Sequence, residues 1–274
     1  MILITGGSGY LGNELVQRLY MRNKIRVIAR DEGKLLELQA KWPDIEIMTG
    51  DIADEYTARR ACEGAESCFH LAAFKHVGQA QTQPYECYRS NVEGTANLLK
   101  HFKGEYFLMT STDKAARVSG VYGASKYIAE HLIHQHALKQ TRTQYRIVRY
   151  GNVLYSTGSV LVKWKRLIQE GKPVTITDPD ATRYFWTVKQ AVDLIFKCGE
   201  EAVDSSPYCP EMKSMSMGDL YDAMYSKYGS PLFEQMIHVI GLQPGENKHE
   251  LIIEGGLSSE DAEKWTIEEI MELI

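Results

Sequence analysis

The sequence predicts an α/β fold in which a doubly wound parallel sheet is followed by a smaller C-terminal region. Short β-branched runs alternate with amphipathic helical stretches through residues 1–150. The strands are continuously apolar, which is typical of parallel strands covered by helices on both faces. After Gly151 the alternation stops, and proline, glycine and serine become more frequent. We expect residues 1–150 to form one domain, and residues 151–274 an interleaved region that does not fold independently.

Individual elements follow from the spacing of apolar residues. Pro84 lies in the first turn of its helix, where the missing N–H costs no hydrogen bond. The predicted strands are Ile2–Thr5, Ile25–Ala29, Ile45–Met48, Ser67–Leu71, Tyr106–Thr110, Tyr145–Tyr150 and Val174–Thr177. The predicted helices are Tyr10–Arg22, Lys34–Lys41, Pro84–His101, Val121–Lys139, Val160–Gln169, Val188–Cys198 and Met217–Tyr228.

Composition and charge exclude several classes of protein. Of 274 residues, 44% are apolar and 24% charged, as in globular domains. The formal net charge of -5 gives no basic excess for nucleic acid or an anionic membrane. The number of cysteines, five, is odd, and no two of them form a CxxC pair. This pattern indicates a reducing compartment, and it argues against a structural zinc site. No apolar run reaches the roughly 18 residues of a spanning helix. We expect a cytoplasmic protein with no metal.

A glycine-rich turn lies between the first predicted strand and the first helix. Residues 5–12 read TGGSGYLG. Gly6 permits the tight turn, Gly9 lets a pyrophosphate approach the backbone, and Gly12 lets the helix pack closely on the strand. The phosphates would bind free N–H groups at the helix N-terminus. The turn therefore predicts a Rossmann-like dinucleotide site, with contacts from Gly6, Ser8, Gly9, Tyr10, Leu11 and Gly12.

The end of the second strand bears on the choice between NAD and NADP. Arg30 and Asp31 lie about 20 residues beyond the glycine turn, where the 2′ position of the adenosine ribose is read. Arg30, with Lys34 one turn later, can pair with a 2′-phosphate, whereas Asp31 could accept a hydrogen bond from a 2′-hydroxyl. The alternative is that these charges only cap the next helix. We expect NADP, with NAD less favoured.

A second polar group follows the fifth predicted strand. Residues 111–114 read STDK, and Tyr122 and Lys126 lie four residues apart in the next helix. Residues four apart share one helix face, and an ammonium group beside a phenol favours the phenolate. Tyr122 would then serve as a base or an acid near neutral pH. Alone, this spacing would predict only an exposed tyrosine and lysine. With the glycine turn upstream, it predicts a catalytic pair.

Further sequence blocks occur in order along the chain. They are AAFKHV at 72–77, STDKA at 111–115, YGASK at 122–126, VRYGNV at 148–153, GSV at 158–160, TDPDATRYFWT at 177–187 and PGENKHE at 244–250. With the glycine turn, they resemble the extended short-chain dehydrogenase/reductases, and within these the soluble, C5-inverting UDP-N-acetylglucosamine 4,6-dehydratases of the pseudaminic acid pathway. The chain departs from that family in a shorter segment after Glu250 and in residues 116–121, which lack the usual Asn-Pro.

The resemblance implies conversion of UDP-N-acetylglucosamine to a UDP-4-keto-6-deoxy-hexosamine by hydride transfer through NADP, with inversion at C5. Tyr122 would take the proton of O4, and Thr112 would polarise that oxygen. Lys114 would remove the C5 proton, and Asp113 would protonate the departing O6. Such a base must be neutral for part of the cycle. We expect nearby cations and the bound sugar to lower the pKa of Lys114, the cations being Lys75 and Lys126.

The resemblance also assigns the remaining site residues. Asp51 and Ile52 would lie beside the adenine, and Leu71, Ala72 and Ala73 near the nicotinamide ribose. Tyr122 and Lys126 would contact the cofactor as well as the sugar. The implied partners are a UDP-sugar and further copies of the chain in a homo-oligomer. The implied substrate contacts are Lys75, Asn152, Arg183 and Glu246.

The main alternative is an NAD(P)-dependent nucleotide-sugar 4-epimerase or 4-ketoreductase. Such an enzyme would share the cofactor and the pair of Tyr122 and Lys126. Asp113 and Lys114 favour the dehydratase, because an epimerase needs no acid for a C6 hydroxyl. A non-catalytic NADP-sensing or scaffold protein is disfavoured, because Tyr122 and Lys126 are intact.

Overall fold

The computed structural model of the chain describes residues 1–139 and 142–274. Its strands are β1 (Ile2–Thr5), β2 (Ile25–Ala29), β3 (Glu46–Thr49), β4 (Ser67–His70), β5 (Tyr106–Thr112), β6 (Gln144–Tyr150), β7 (Asn152–Val153), β8 (Val174–Ile176), β9 (Thr182–Trp186), β10 (Pro207–Tyr208), β11 (Ser214–Ser216) and β12 (Ile237–Val239). Its α-helices are α1 (Tyr10–Leu19), α2 (Glu32–Lys41), α3 (Glu55–Cys62), α4 (Val77–Thr82), α5 (Pro84–Tyr88), α6 (Gly94–His101), α7 (Val121–Lys139), α8 (Val160–Gln169), α9 (Val188–Glu201), α10 (Met217–Tyr228) and α11 (Ile267–Leu273).

The main sheet has seven parallel strands in the order β10-β6-β5-β4-β1-β2-β3. From β1 the chain adds β2 and β3 on one side, then crosses to add β4, β5 and β6 on the other. The direction of winding therefore reverses between β1 and β4. Ligands of such sheets bind outside the carboxyl ends of the strands at this reversal. The predicted doubly wound α/β class is confirmed.

Apolar clusters cover both faces of this sheet. Neighbouring strand residues point to opposite faces, so the fully buried Leu3 and Ile4 belong to different clusters. The first cluster includes Leu98 of α6 and Ile133 of α7, and the second includes Leu15 of α1. Each side chain of this kind stabilises the fold by about 1.5–3 kcal/mol when fully buried. The two clusters hold the strands and the helices on both faces together, and so they support the carboxyl ends of the strands.

The chain after β6 contributes to the same sheet and builds a further core. β10 pairs with β6, and residues of α9 join the second apolar cluster. A three-stranded sheet in the order β11-β9-β7 begins directly beyond the carboxyl end of β6. A third cluster, which includes Trp164, Met224 and Ile270, packs α8, α10 and α11 together. Among the described residues, no helix is long and apolar enough to cross a bilayer.

Four predicted helices differ from the structure. The helix predicted to end at Cys198, α9, continues to Glu201. The α-helix predicted to reach Arg22 ends at Leu19, and a 3-10 turn covers Tyr20–Arg22. Asp31 caps α2, so this helix begins at Glu32 and not at Lys34. The predicted helix Pro84–His101 contains a π-helical stretch over Arg89–Glu93, which separates α5 from α6.

Several elements were missed by the sequence analysis. α3 buries only Ala58, Ala61 and Cys62, small residues that give a weak apolar period. β9 and β11 pair with each other rather than with the main sheet, so they do not follow the strand and helix alternation. Short segments that depend on distant partners carry little local signal.

Candidate active site

A cleft of about 710 Å³ opens at the carboxyl ends of the central strands, where the winding of the sheet reverses. Every sequence-predicted site residue except Asp113 lines it. Its walls include Gly6, Ser8, Gly9, Tyr10, Leu11, Gly12, Arg30, Lys34, Asp51, Ile52, Leu71, Ala72 and Ala73 at one end, and Lys75, Thr112, Lys114, Tyr122, Lys126, Asn152, Arg183 and Glu246 towards the other.

The glycine turn forms the first end of the cleft through its backbone. Gly6 has a φ of 69°, in the left-handed region, and a Cβ there would lie 2.8 Å from the backbone nitrogen of Ala72. A Cβ at Gly12 would lie 2.5 Å from the carbonyl oxygen of Gly6. α1 begins at Tyr10, and no side chain caps its N-terminus. Its first N–H groups are therefore available to an anion such as a pyrophosphate.

A buried chain of hydrogen bonds fixes the segment opposite this turn. The N–H of Ala72 donates to Oγ1 of Thr5 at 3.1 Å, and this oxygen lies 2.7 Å from Nδ1 of His70. Nε2 of His70 lies 2.9 Å from Oγ1 of Thr95, whose proton goes to the Asn91 carbonyl. Nε2 must therefore carry the ring proton. Burial, with a smaller contribution from a nearby lysine, lowers the pKa of His70 to about 3, so the ring is neutral.

The charged residues at the end of β2 have different partners. Asp31 accepts the N–H of Lys34 at 3.1 Å, and its second oxygen lies 3.3 Å from Nζ of Lys34. These contacts lower the pKa of Asp31, chiefly through the backbone hydrogen bond. Asp31 thus caps the helix, as the alternative interpretation had it. Arg30 is exposed and lines the cleft, where it can reach a ligand.

α7 places Tyr122 and Lys126 on its cleft-facing side, within its first two turns. Burial lowers the pKa of Lys126 to about 8, although Glu130 one turn later acts in the opposite direction. Burial also raises the pKa of Tyr122, and the Thr112 hydroxyl offsets this only in part. The prediction that Tyr122 can act near neutral pH is not met when no ligand is bound, because the loss of solvation raises the pKa of its phenol.

Asp113 differs from the other predicted site residues because it has no exposed surface and does not line the cleft. It follows β5 in a 3-10 turn. Its Oδ1 accepts the Thr112 hydroxyl at 2.8 Å, the Lys114 N–H at 2.9 Å and Nζ of Lys114 at 3.1 Å. Its Oδ2 is buried without a hydrogen-bond partner among the described residues. Three donors therefore converge on one oxygen of Asp113, while the acceptor capacity of the other oxygen is unused.

Glu250 is a site residue that the sequence analysis missed. Its carboxylate lines the cleft and is only 1% exposed. Oε1 lies 3.4 Å from Nζ of Lys114 and 3.8 Å from Nε of Arg183. Glu250 belongs to the PGENKHE block, from which only Glu246 was selected. The apolar run of Leu251–Ile253 directly after it could have indicated its burial.

The charge of Lys114 is set by these two carboxylates. Burial alone would lower the pKa of Lys114, and the repulsion from Arg183 adds to that effect. The attraction of Asp113 and Glu250 outweighs both, so the pKa of Lys114 is raised. The predicted lowering by Lys75 and Lys126 is wrong, because the carboxylates are the groups in contact with Nζ. Lys114 is therefore an ammonium ion at neutral pH in the folded protein when no ligand is bound.

The far end of the cleft is built by the chain after β6. Arg183 of β9 donates through Nη1 to the carbonyls of Thr182 and Lys248, at 2.8 and 2.9 Å. Lys75 reaches across from the end of β4 and donates to the carbonyl of Thr157 at 2.9 Å. Burial lowers the pKa of Lys75. Apolar side chains, among them Trp164, complete this end of the cleft, which suits a flat ring carried by an anionic ligand.

A family model described as polysaccharide biosynthesis protein matches residues 2–273. The chain belongs to this family. An uncharacterized membrane protein of Methanocaldococcus jannaschii is 38% identical over 92% of this chain and 80% of its own length. The inverting UDP-N-acetylglucosamine 4,6-dehydratase of Campylobacter jejuni is 32% identical, over 95% of this chain and 78% of its own. The UDP-glucose 4-epimerase of Rickettsia akari is 30% identical, over 96% and 79%.

The fold of this polysaccharide biosynthesis protein is also that of solved structures. Pen from Bacillus thuringiensis superposes with a TM-score of 0.86 and is 30% identical, over 92% of this chain and 80% of Pen. These similarities confirm the resemblance to the extended short-chain dehydrogenase/reductases and to their nucleotide-sugar dehydratases.

Proposed function

We propose that the protein is an NADP-dependent nucleotide-sugar 4,6-dehydratase, a lyase that removes water from UDP-N-acetylglucosamine. The observation that carries the proposal is that two units suited to catalysis meet at one cleft. The first is the pair of Tyr122 and Lys126, and the second is Lys114, which lines the cleft and whose Nζ lies 3.1 Å from the buried Asp113. An epimerase or a ketoreductase would need only the first unit. The cytoplasmic location, the homo-oligomer and the division at residue 150 stay predictions.

The residues at the glycine end fit NADP. The uncapped N-terminus of α1 fits the pyrophosphate, and Arg30 fits a 2′-phosphate because Asp31 is already held by Lys34. Asp51, Ile52 and the segment Leu71–Ala73 line the space between that end and Tyr122. Bound there, NADP⁺ would supply the chemistry of accepting a hydride from C4 and returning it to C6.

Tyr122 and its neighbours would start the reaction at O4. Tyr122 would accept the O4 proton, and Thr112 would donate a hydrogen bond to the same oxygen once its hydroxyl has left Oδ1 of Asp113. Because its pKa is near 8, Lys126 is mainly protonated at neutral pH. Its positive charge would stabilise the phenolate against the burial that raises the pKa of Tyr122.

Lys114 must lose a proton before it can take one from C5. Nζ lies 3.1 Å from Oδ1 of Asp113, so the proton can pass to this carboxylate. The amine of Lys114 would then accept the C5 proton, and the acid form of Asp113 would protonate O6, which leaves as water. The pair returns to ammonium and carboxylate, so its protons balance. Since Asp113 is fully buried, the 3-10 turn would have to shift when the sugar binds.

The remaining side chains of the cleft would hold the nucleotide sugar. Arg183 would pair with the diphosphate, because its planar guanidinium can bind two oxygens. Lys75, Asn152 and Glu246 would contact the sugar and the nucleotide. Inversion at C5 requires that a proton be delivered to the face opposite Lys114. Solvent would supply this proton, and solvent would receive the O4 proton from Tyr122, so the protons balance.

Mass spectrometry tests the proposal directly. The purified protein is incubated with UDP-N-acetylglucosamine, and the expected product is lighter by one water, with no net consumption of NADPH. A product of unchanged mass that chromatography separates from the substrate would replace the proposal by the 4-epimerase. A product heavier by two hydrogens, formed from a 4-keto sugar at the expense of NADPH, would indicate the ketoreductase.

A further inference from the structure

Glu250 lines the cleft, yet none of the proposed proton transfers uses it. It connects three parts of the chain. Oε1 lies 3.4 Å from Nζ of Lys114, in the turn after β5, and 3.8 Å from Nε of Arg183, on β9. Oε2 accepts a hydrogen bond from Nδ2 of Asn247, in the C-terminal segment, at 3.2 Å.

The backbone of Glu250 is held as firmly as its side chain. Its N–H donates to Oγ of Ser259 at 2.8 Å, and its carbonyl accepts the Ser259 N–H at 2.7 Å. A carboxylate that is 1% exposed destabilises a fold unless cations are close to it. An apolar side chain would avoid that cost. The contacts of Glu250 therefore indicate that a negative charge is needed at this place.

We propose that Glu250 is a positioning residue. Its carboxylate holds the side chains of Lys114 and Arg183 close to each other in the cleft, and it keeps Lys114 in its ammonium form until the sugar binds. The effect on the charge of Lys114 is a property of the free chain. Its catalytic consequence rests on the proposed dehydratase function, in which Lys114 is the base at C5.

The charged groups around Lys114 determine whether removing the charge of Glu250 raises or lowers the pKa of Lys114. Asp113 lies on the same turn, Glu250 on the C-terminal segment, Arg183 on β9, and Tyr122 on α7. Glu250→Gln would leave one carboxylate, Asp113, to oppose burial and Arg183. A neighbouring opposite charge shifts a pKa by about 1–3 units. The substitution should therefore lower the pKa of Lys114 by about that amount.

Competitive acetylation measures this titration without any substrate. The folded protein is treated with limiting acetic anhydride at a series of pH values, and the peptide containing Lys114 is quantified by mass spectrometry. In Glu250→Gln the midpoint for Lys114 should move to lower pH by about 1–3 units. Glu254→Gln is the matched control, because it removes the same charge from an exposed position nearby and should leave the midpoint unchanged. An unchanged midpoint in Glu250→Gln overturns the proposal.

A second variant guards against a failure of Glu250→Gln to fold. Glu250→Asp keeps the charge but withdraws it by one methylene, so the midpoint for Lys114 should move in the same direction by a smaller amount. No movement in a folded Glu250→Asp protein would also overturn the proposal.

The pH profile of turnover separates this proposal from the proposed function. Exchange of solvent deuterium into C5 requires the amine form of Lys114, so at each pH below the Lys114 midpoint it should be faster in Glu250→Gln than in the wild type. Formation of NADPH from C4 oxidation should keep its wild-type pH profile. If the wild-type protein released no dehydrated sugar, the dehydratase proposal would fail, and the acetylation midpoints would still decide the role of Glu250.

Discussion

The two ends of the cleft are built in different ways. The end formed by the glycine turn is called the cofactor end here, after its proposed ligand. Its shape comes from the backbone, since a Cβ at Gly6 or Gly12 would lie only 2.8 or 2.5 Å from main-chain atoms. The far end of the cleft is called the sugar end, after the proposed substrate. Its shape comes from charged side chains, among which Lys114, Arg183 and Glu250 come from distant parts of the sequence. The first end depends on neighbouring residues, whereas the second depends on the whole fold.

This difference determines how each end should respond to substitution. A site made of backbone fails when a side chain is added, and the failure is steric. A site made of buried charges fails when one charge is removed, because its partners are left unpaired. Substitutions at the sugar end and at the cofactor end of the cleft therefore test this difference.

Lys114→Ala should strongly reduce water loss and should separate the two half-reactions. A positioned base contributes on the order of 10²–10⁴-fold, so release of the 4-keto-6-deoxy sugar should fall by that factor. Oxidation at C4 needs Tyr122 and Lys126, which the substitution leaves in place. Bound NADPH should therefore still form when UDP-N-acetylglucosamine is added, and its absorbance measures this step.

Tyr122→Phe is the comparison for Lys114→Ala, because it removes the group that acts at O4. It should abolish both NADPH formation and water loss. Near wild-type dehydration in Lys114→Ala would show that the base at C5 lies elsewhere and that the sugar end has been misassigned.

Arg30→Ala should weaken binding of NADP⁺ far more than binding of NAD⁺. A hydrogen bond to a charged group contributes about 1.5–3 kcal/mol, which corresponds to roughly a 10- to 150-fold change in affinity. Calorimetric titration with each cofactor measures the two losses. Arg22→Ala, at an exposed position outside the cleft, should alter neither affinity. Equal losses for both cofactors in Arg30→Ala would mean that Arg30 does not contact the 2′-phosphate.

Gly12→Ala tests the backbone character of the cofactor end. The added Cβ would lie 2.5 Å from both the Gly6 oxygen and the Gly7 Cα, so the protein should lose about 1–3 kcal/mol of unfolding free energy in urea. Gly78→Ala is the matched control, since no atom lies within 4 Å of its added Cβ. In α4 it should stabilise the protein by up to about 1 kcal/mol. Equal stability of the two variants would contradict the steric account.

The same contrast explains what could be predicted from the sequence. The strands of the main sheet and the glycine turn follow from local patterns, because the apolar period and the spacing of three glycines act within a few residues. The charge state of Lys114 could not be predicted, because Glu250 meets it only after the chain after β6 has folded onto the sheet. Tyr122 and Lys126 were placed correctly on one helix face, but the burial that shifts the pKa of Tyr122 is a property of the whole cleft.

His70 gives the smallest predicted effect, and it extends the contrast to buried titratable groups. His70 is fully buried, whereas the side chain of Lys114 is 14% exposed. The partners of His70 are the hydroxyls of Thr5 and Thr95, and the ring carries no charge. Burial lowers its pKa from 6.5 to about 3 in the folded chain. Between these two values the unfolded chain binds a proton at His70 and the folded chain does not. Stability should therefore decrease as the pH falls through this window, and be independent of His70 above it.

The expected slope from His70 is about 1.4 kcal/mol per pH unit well below pH 6.5. Urea unfolding of the wild type and of His70→Gln, at pH values from 7 to 4.5, measures it as the difference between the two curves. The variant should be less stable at pH 7, where it loses the hydrogen bonds to Thr5 and Thr95, and the gap should narrow with acidification. His131→Gln, at an exposed position of α7, should run parallel to the wild type. A constant gap for His70→Gln would mean that this imidazole takes up a proton within the folded chain, and the neutral hydrogen-bond chain that fixes Ala72 would have to be revised.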